Sequence, residues 1–468
     1  MQTLQRFRLL TLVLALIIGS VWGVAAPPAL AIGGAAVVNN LGDSANDNNA
    51  STCTLREALQ VISEAKTVAN PPNRGCAGIQ QGINTITFSI NGTITVASSL
   101  PDISSNISIT GPIIINGSGS ADTPIFRVST YDAIFNLAGV TLTKGEPAIL
   151  GTTSGSIMNI AGSSFVGNVN SGNGGAISSD GALNIAGTNF TGNRANGTDG
   201  GGAIWASGTD QLNIAGSVFN GNTAKRSGGA IYALAPGTIV DTIFNGNIAE
   251  GLDPNNNGTE GDPADDYFPM GGGALVNRND SGNGRKMVII RSVFNGNLAA
   301  PKANAGALYN HSGATVEIRD SSFNGNLAGS TGLDRLGGAI LNAGARLSIN
   351  RVTLLNNGVT GDGGGIAIDR GNIVDLTNMT IVANVASGKG GGIYAFNTQQ
   401  NGSSNIRAES TLRNLTISLN VATSGGGIYG QAPTSSYPEP HKLANTLLSG
   451  NLPDNCAIGP FTLSLIHI

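Results

Sequence analysis

The stretch NIAGTNFTGNRANGTDGGGAI, residues 184–204, decides the fold. It holds Ile185, then Phe190 five positions on, then Asn193 three beyond that, and then the tetrad Gly201-Gly202-Ala203-Ile204. The same spacing returns on both sides of it. An apolar anchor followed three residues later by Asn occurs ten times: Phe165/Asn168, Phe190/Asn193, Phe219/Asn222, Phe244/Asn247, Phe294/Asn297, Phe323/Asn326, Leu354/Asn357, Ile381/Asn384, Ile417/Asn420 and Leu448/Asn451. Five residues before each anchor stands Ile or Leu, from Ile160 to Leu443. Successive anchors lie 25 to 31 residues apart, with two longer exceptions. A fixed period of this length marks a solenoid, in which each repeat buries its apolar face on its neighbours.

Each coil reads as three short strands. One ends at the Ile five before the anchor, one carries the anchor, and one begins in the Gly-rich tetrad. The position three before the anchor is Gly, Asn or Asp in eight of ten coils, with Arg291 and Arg351 the exceptions. Those residues tolerate left-handed backbone and so mark a corner. The Asn after the anchor marks a second corner. Stacked coils lie about 4.8 Å apart, so these side chains can bond one above another in a ladder. Three parallel strands with corners this tight give an all-β, right-handed parallel β-helix, the hand following from the rule for parallel crossovers. A propeller blade needs about 40 residues and four strands, more than the shortest coil offers.

Composition agrees with backbone pairing as the main support. Charged residues make up 11% of the chain, against about 25% usually. Gly accounts for 69 of 468 residues, and the net charge is −4. No basic patch suggests nucleic acid, which is discounted as a partner.

Residues 1–31 read as a secretory signal peptide: Arg6 and Arg8, the apolar run Leu9–Ile18, and the Ala29-Leu30-Ala31 cleavage site. No later stretch is apolar enough to span a bilayer, so the mature chain is expected to be exported without a membrane span. Residues 32–82 read as an N-terminal cap. Thr54-Leu55-Arg56-Glu57 is a capping box, and the apolar spacing after it predicts an amphipathic helix over 55–67. The β-helix is expected over 83–456, irregular to about 150 and regular from about 156. Cys53 and Cys76 lie close in sequence and could bridge in an oxidising compartment. Cys456 has no evident partner. The three His are isolated, with no metal-ligand spacing.

Cys53-Thr54-Leu55-Arg56-Glu57-Ala58, with Asn84-Thr85-Ile86-Thr87-Phe88 and Gly92-Thr93-Ile94-Thr95, resembles the N-terminal Cys-Ser-Leu-Arg-Glu-Ala domain of bacterial secreted β-helix proteins. Thr54 stands where that domain usually has Ser. The Gly-Gly-Ala-Ile and Phe-x-x-Asn motifs look like polymorphic outer membrane protein repeats. The resemblance implies an adhesin-like protein, secreted or on the cell surface, usually held by a C-terminal anchoring or export element. Such an element is not evident in the sequence. Leu463-Ser464-Leu465-Ile466-His467-Ile468 matches a translation of a sequencing-library transposon-end adapter. Residues 457–468 are therefore expected to be the non-native tail of a truncated gene.

Candidate chemistry is sparse. Asp241, Arg291, Asp320 and Arg351 form a charged column in four successive coils, and their alternating signs suggest pairing between coils. Residues 250–270 form an acidic insert. Within it Asp253-x-Asn255-x-Asn257-Gly258 has calcium-loop spacing, with oxygens at alternate positions and Gly for the turn. The twelfth position is Ala264, so a late ligand such as Asp265 would have to close the set. Asp253, Asn255, Asn257 and Asp265 are the candidate ligands of a structural calcium. Trp205, Tyr232, Tyr394 and Tyr429 follow the tetrad by one place and should point outward, where they could stack on sugar rings. The leading expectation is a non-enzymatic surface that binds glycans or proteins of a host or neighbouring cell. The alternative is a polysaccharide-degrading lyase or glycoside hydrolase of the pectate-lyase-like type, which would need clustered carboxylates.

Overall fold

The computed structural model describes residues 32–45, 51–64, 75–76, 83–118, 123–208, 210–252, 271–279, 285–300, 303–311, 313–329, 336–369, 373–396, 410–430, 441–457 and 461–467. Strands pair in parallel from coil to coil and form sheets of 25, 8 and 12 strands. This is a parallel β-helix.

The largest sheet holds two strand columns per coil. In the coil of Phe190 they are Ala182–Ala186, the first face, and Asn189–Thr191, the second. Between them the backbone turns at Gly187, whose φ is 55°. All ten residues of that column are left-handed, including Arg291 at 46° and Arg351 at 56°. One left-handed residue bends the chain without a loop, and strands that run through the corner, such as Ile134–Thr143, join the two faces into one sheet.

After the Asn comes a strand of only two residues, Arg194–Ala195 in this coil. Eight such strands stack into a narrow sheet that the sequence reading did not foresee. Two residues are too few to display alternation. The third face begins at the tetrad's last residue, as in Ile204–Ala206, and runs from Phe126–Val128 to Cys456–Ala457. The tetrad's glycines permit contact between coils. A Cβ on Gly202 would lie 2.0 Å from the Gly229 carbonyl oxygen.

The anchors form the core. Rings of Phe165, Phe190, Phe219, Phe244, Phe294 and Phe323 stack at 4.5–4.9 Å between centroids, with planes within 10°. Leu354, Ile381, Ile417 and Leu448 continue the column, all fully buried. Each such side chain contributes about 1.5–3 kcal/mol by burial, and a stacked aromatic pair about 0.5–1.5 kcal/mol more.

Two polar ladders flank the anchors. The Asn193 side-chain amide donates to Asn222 Oδ1 at 2.9 Å and to the Phe165 carbonyl at 3.0 Å. Asn222 Oδ1 also accepts the Asn193 N–H at 3.0 Å. This unit repeats from Asn168 to Asn451. Two residues before the anchor, a buried hydroxyl does similar work. Ser217 Oγ donates to the Ala215 carbonyl at 3.0 Å and accepts the Thr188 N–H at 3.2 Å. Both ladders satisfy backbone groups that the corners would otherwise leave buried and unpaired. Val352, Met379 and Leu415 replace the hydroxyl in three later coils.

The N-terminal end is closed by the helix Leu55–Glu64. Its expected last turn falls outside the described residues. The capping box is present: the Thr54 N–H donates to Glu57 Oε2 at 2.9 Å, and the Glu57 N–H to Thr54 Oγ1 at 3.1 Å. Leu55, Ala58, Leu59 and Ile62 join the main core with Ala36 and Val38. The Arg56 guanidinium forks onto Asp43 and reaches the Ser98 and Ser99 carbonyls, clamping the helix to the first coil. Cys53 and Cys76 are disulfide-bonded, and Cys456 is free. Ile32–Val38, in the segment read as the N-terminal cap, is a strand paired with Ile83–Phe88. Phe461–His467, in the tail that the sequence set apart, pairs in parallel with His441–Ser449. No helix among the described residues is long and apolar enough to cross a membrane.

Candidate functional site

Coil length varies only around the third-face strand. The distance from the Ile or Leu before an anchor to the Asn after it is eight positions in all ten coils. The third-face strand is bounded by connections of changing length. Phe219 and Ile231 are 12 positions apart, but Phe244 and Leu275 are 31 apart. Ile177 and Phe190 are 13 apart, but Ile393 and Ile417 are 24 apart. Insertions therefore gather on the two sides of the third face.

The outer side of that face carries Trp205, Tyr232, Val276, Tyr309, Leu341, Ala367, Tyr394 and Tyr429, in register on successive coils. The aromatics singled out from the sequence thus leave the main core, as alternation requires. They do not form an open strip. Tyr232 is 4% exposed and Tyr394 7%, within a second apolar cluster on the outside of the sheet. Trp205 and Tyr429 are half-buried and pack on its rim. Leu234, Ala305 and Leu336, from turns beside the strand, lie against the same cluster. Alternation gives the direction of a side chain. It is silent on what folds over it.

Two places on this face gather polar groups. In the later coils the Tyr394 and Tyr429 rings stack at 5.7 Å, and the Lys389 ammonium lies 4.8 Å above Tyr429. Burial, and then the carboxylates of Asp362 and Asp369, push the Tyr394 phenol far above its usual range, so it stays protonated and bonds to Asp362. In the earlier coils a cavity of about 260 Å³ is lined by Asp199, Arg226, Tyr232, Arg278, Tyr309 and His311, among others. Arg278 donates to the Tyr232 hydroxyl at 2.9 Å, and Arg226 to the Thr198 carbonyl at 2.8 Å. Arg278 and His311 sit side by side in register. The sequence reading passed over Arg226, Arg278 and His311, because they come together only through stacking of separate coils.

The charged column pairs off as its signs suggested. Arg291 forks onto Asp241 at 2.8 Å, and Arg351 onto Asp320. The Arg351 guanidinium holds the Asp320 carboxyl below its usual range. These pairs are exposed, and water screens most of their attraction. They sit at the corner between the first two faces, away from the cavity. Asp253, Asn255, Asn257 and Asp265 lie outside the described residues. Among the described residues no three His, Cys, Asp or Glu side chains are grouped to hold a metal ion.

Residues 216–234 match the Chlamydia polymorphic membrane protein repeat. That segment contains the corner Gly216, the anchor Phe219, the ladder residue Asn222, the tetrad Gly228–Ile231 and Tyr232. No curated protein sequence matches the chain significantly. Among solved structures, the periplasmic alginate epimerase AlgG is similar over 86% of this chain and 81% of its own, at 10% identity and a TM-score of 0.37. The chain is a parallel β-helix protein, and the coil at residues 216–234 is similar to the polymorphic membrane protein repeat.

Proposed function

We propose that the chain is an exported, adhesin-like binding protein without catalytic activity, and that it meets its partners with the third face. The observation that carries this reading is the confinement of insertions to the two sides of that face. In solenoids such insertions map to loops on one side, often the binding side, and loops on a rigid scaffold are where recognition residues concentrate. The surface association of the matched repeat and the Cys53–Cys76 disulfide support an extracellular or cell-surface location. The partners proposed are glycans or proteins on a host or neighbouring cell.

The test exchanges the connections 397–409 and 431–440 for short Gly-Ser linkers and measures binding to cell surfaces. A control carries Asn213→Lys on the outer side of the first face. Loss of binding in the linker variant alone, at an unchanged unfolding midpoint, is the expected result. Undiminished binding would remove the third face from the mechanism. Release of reducing sugars from a polysaccharide panel by the unmodified chain would favour the degrading-enzyme reading instead.

A further inference from the structure

Resting on the third face as the binding face, we propose that the cavity around Arg226 holds the carboxylate of an acidic sugar unit within a glycan. Arg226 differs from arginines nearby. Arg194 is forked onto Glu250 at 2.8 Å, and Arg291 and Arg351 are forked onto aspartates in adjacent coils. Arg226 donates to one backbone carbonyl, and among the described residues no carboxylate pairs with it. A guanidinium presents five donors in a planar fork that matches a carboxylate.

The surroundings favour a sugar over a simple anion. Arg278 adds a second guanidinium, and among the described residues Asp199 is the sole carboxylate of the lining. Ser227 and Thr198 belong to the same lining, with Tyr232 and Tyr309. Sugar hydroxyls need donors and acceptors close together, and this lining supplies both. The volume of about 260 Å³ falls below the roughly 300–1,000 Å³ of sites that enclose a whole small molecule. It suits one residue of a longer chain running along the face. Uronic and sialic acids share the required chemistry, a carboxylate on a pyranose ring.

The experiment is calorimetric titration of the full chain with an oligogalacturonate, its methyl ester, sialyllactose and polyglutamate. One or both sugar acids should bind, and the one that does identifies the source. The methyl ester should not bind. Arg226→Gln should weaken the acid by about ten-fold or more, and Arg226→Lys by less, since it keeps charge and loses the fork. Asp199→Asn should strengthen binding a few-fold by removing a like charge, an effect that misfolding cannot imitate. Equal binding of acid and ester, an unaffected Arg226→Gln variant, or no binding of either acid overturns the proposal. Polyglutamate binding as tightly as the sugar acids also overturns it, in favour of an acidic protein partner. If Arg226→Gln leaves cell-surface binding intact while the linker variant loses it, the acidic-sugar pocket falls and the third face stands.

Discussion

The first two faces and the third face of this β-helix obey different rules. From the Ile before each anchor to the Asn after it, ten coils accept no change in length. Around the third-face strand the connections more than double between one coil and another. The difference follows from what each region must satisfy. The constant stretch holds a left-handed corner, a stacked anchor and an Asn bonded to the coils on both sides, so an inserted residue would break all three. A strand of three or four residues needs only its own register. It can sit between connections of almost any length, because closing a longer loop costs little. The region that carries stability is thus kept apart from the region free to vary in length.

Insertion should separate the two regions most strongly. One Gly placed between Gly216 and Ser217 would turn Phe219 outward and detach Asn222 from its ladder. Loss of cooperative unfolding is expected, whereas the same Gly placed after Ser207 should leave the thermal midpoint within a degree or two of the parent. Equal tolerance at both places would erase the distinction. Phe219→Ala comes next. Phe219 is fully buried between Phe190 at 4.7 Å and Phe244 at 4.9 Å, and its truncation should cost about 3–5 kcal/mol in denaturant unfolding. An unchanged midpoint would contradict its place in the stack.

Asn222→Ala should cost about 2–3 kcal/mol, because it removes the buried acceptor of the Asn193 backbone N–H and of one N–H of its side-chain amide. A loss below the noise of equilibrium unfolding would mean that water enters the ladder. The smallest effect has the opposite sign. Leu419 stands just before its ladder Asn, is 60% exposed and has a φ of 57°. Seven coils place Gly there. Leu419→Gly should stabilise by about 0.5–1 kcal/mol, relief of left-handed strain outweighing the added freedom of the unfolded chain. Destabilisation would show that the Leu side chain contributes packing beyond its exposed surface.

Much of the architecture is legible in the sequence. The period fixed the solenoid, the anchors fixed the core, and the columns of Gly, Asn and Asp fixed the corner between the first two faces. Even Arg291 and Arg351, poor residues for left-handed backbone, sit at that corner because neighbouring coils impose it. Other features stayed hidden for physical reasons. The hydroxyl ladder mixes Ser and Thr and gives way to Val352, Met379 and Leu415, so no single residue type marks it. The two-residue strands carry no period. The strand Ile32–Val38 lies beside polar residues that disguise its pairing with Ile83–Phe88.

By itself, the sequence determined the parallel β-helix, its capping helix and its Asn ladder, because each depends on spacing along the chain and on local backbone preference. Only the tertiary structure decided that Tyr232 and Tyr394 lie beneath a cover, and that Arg226, Arg278 and His311 share one cavity. Those facts depend on how coils stack and on how turns many residues away fold over a strand. Distance along the chain carries no record of either.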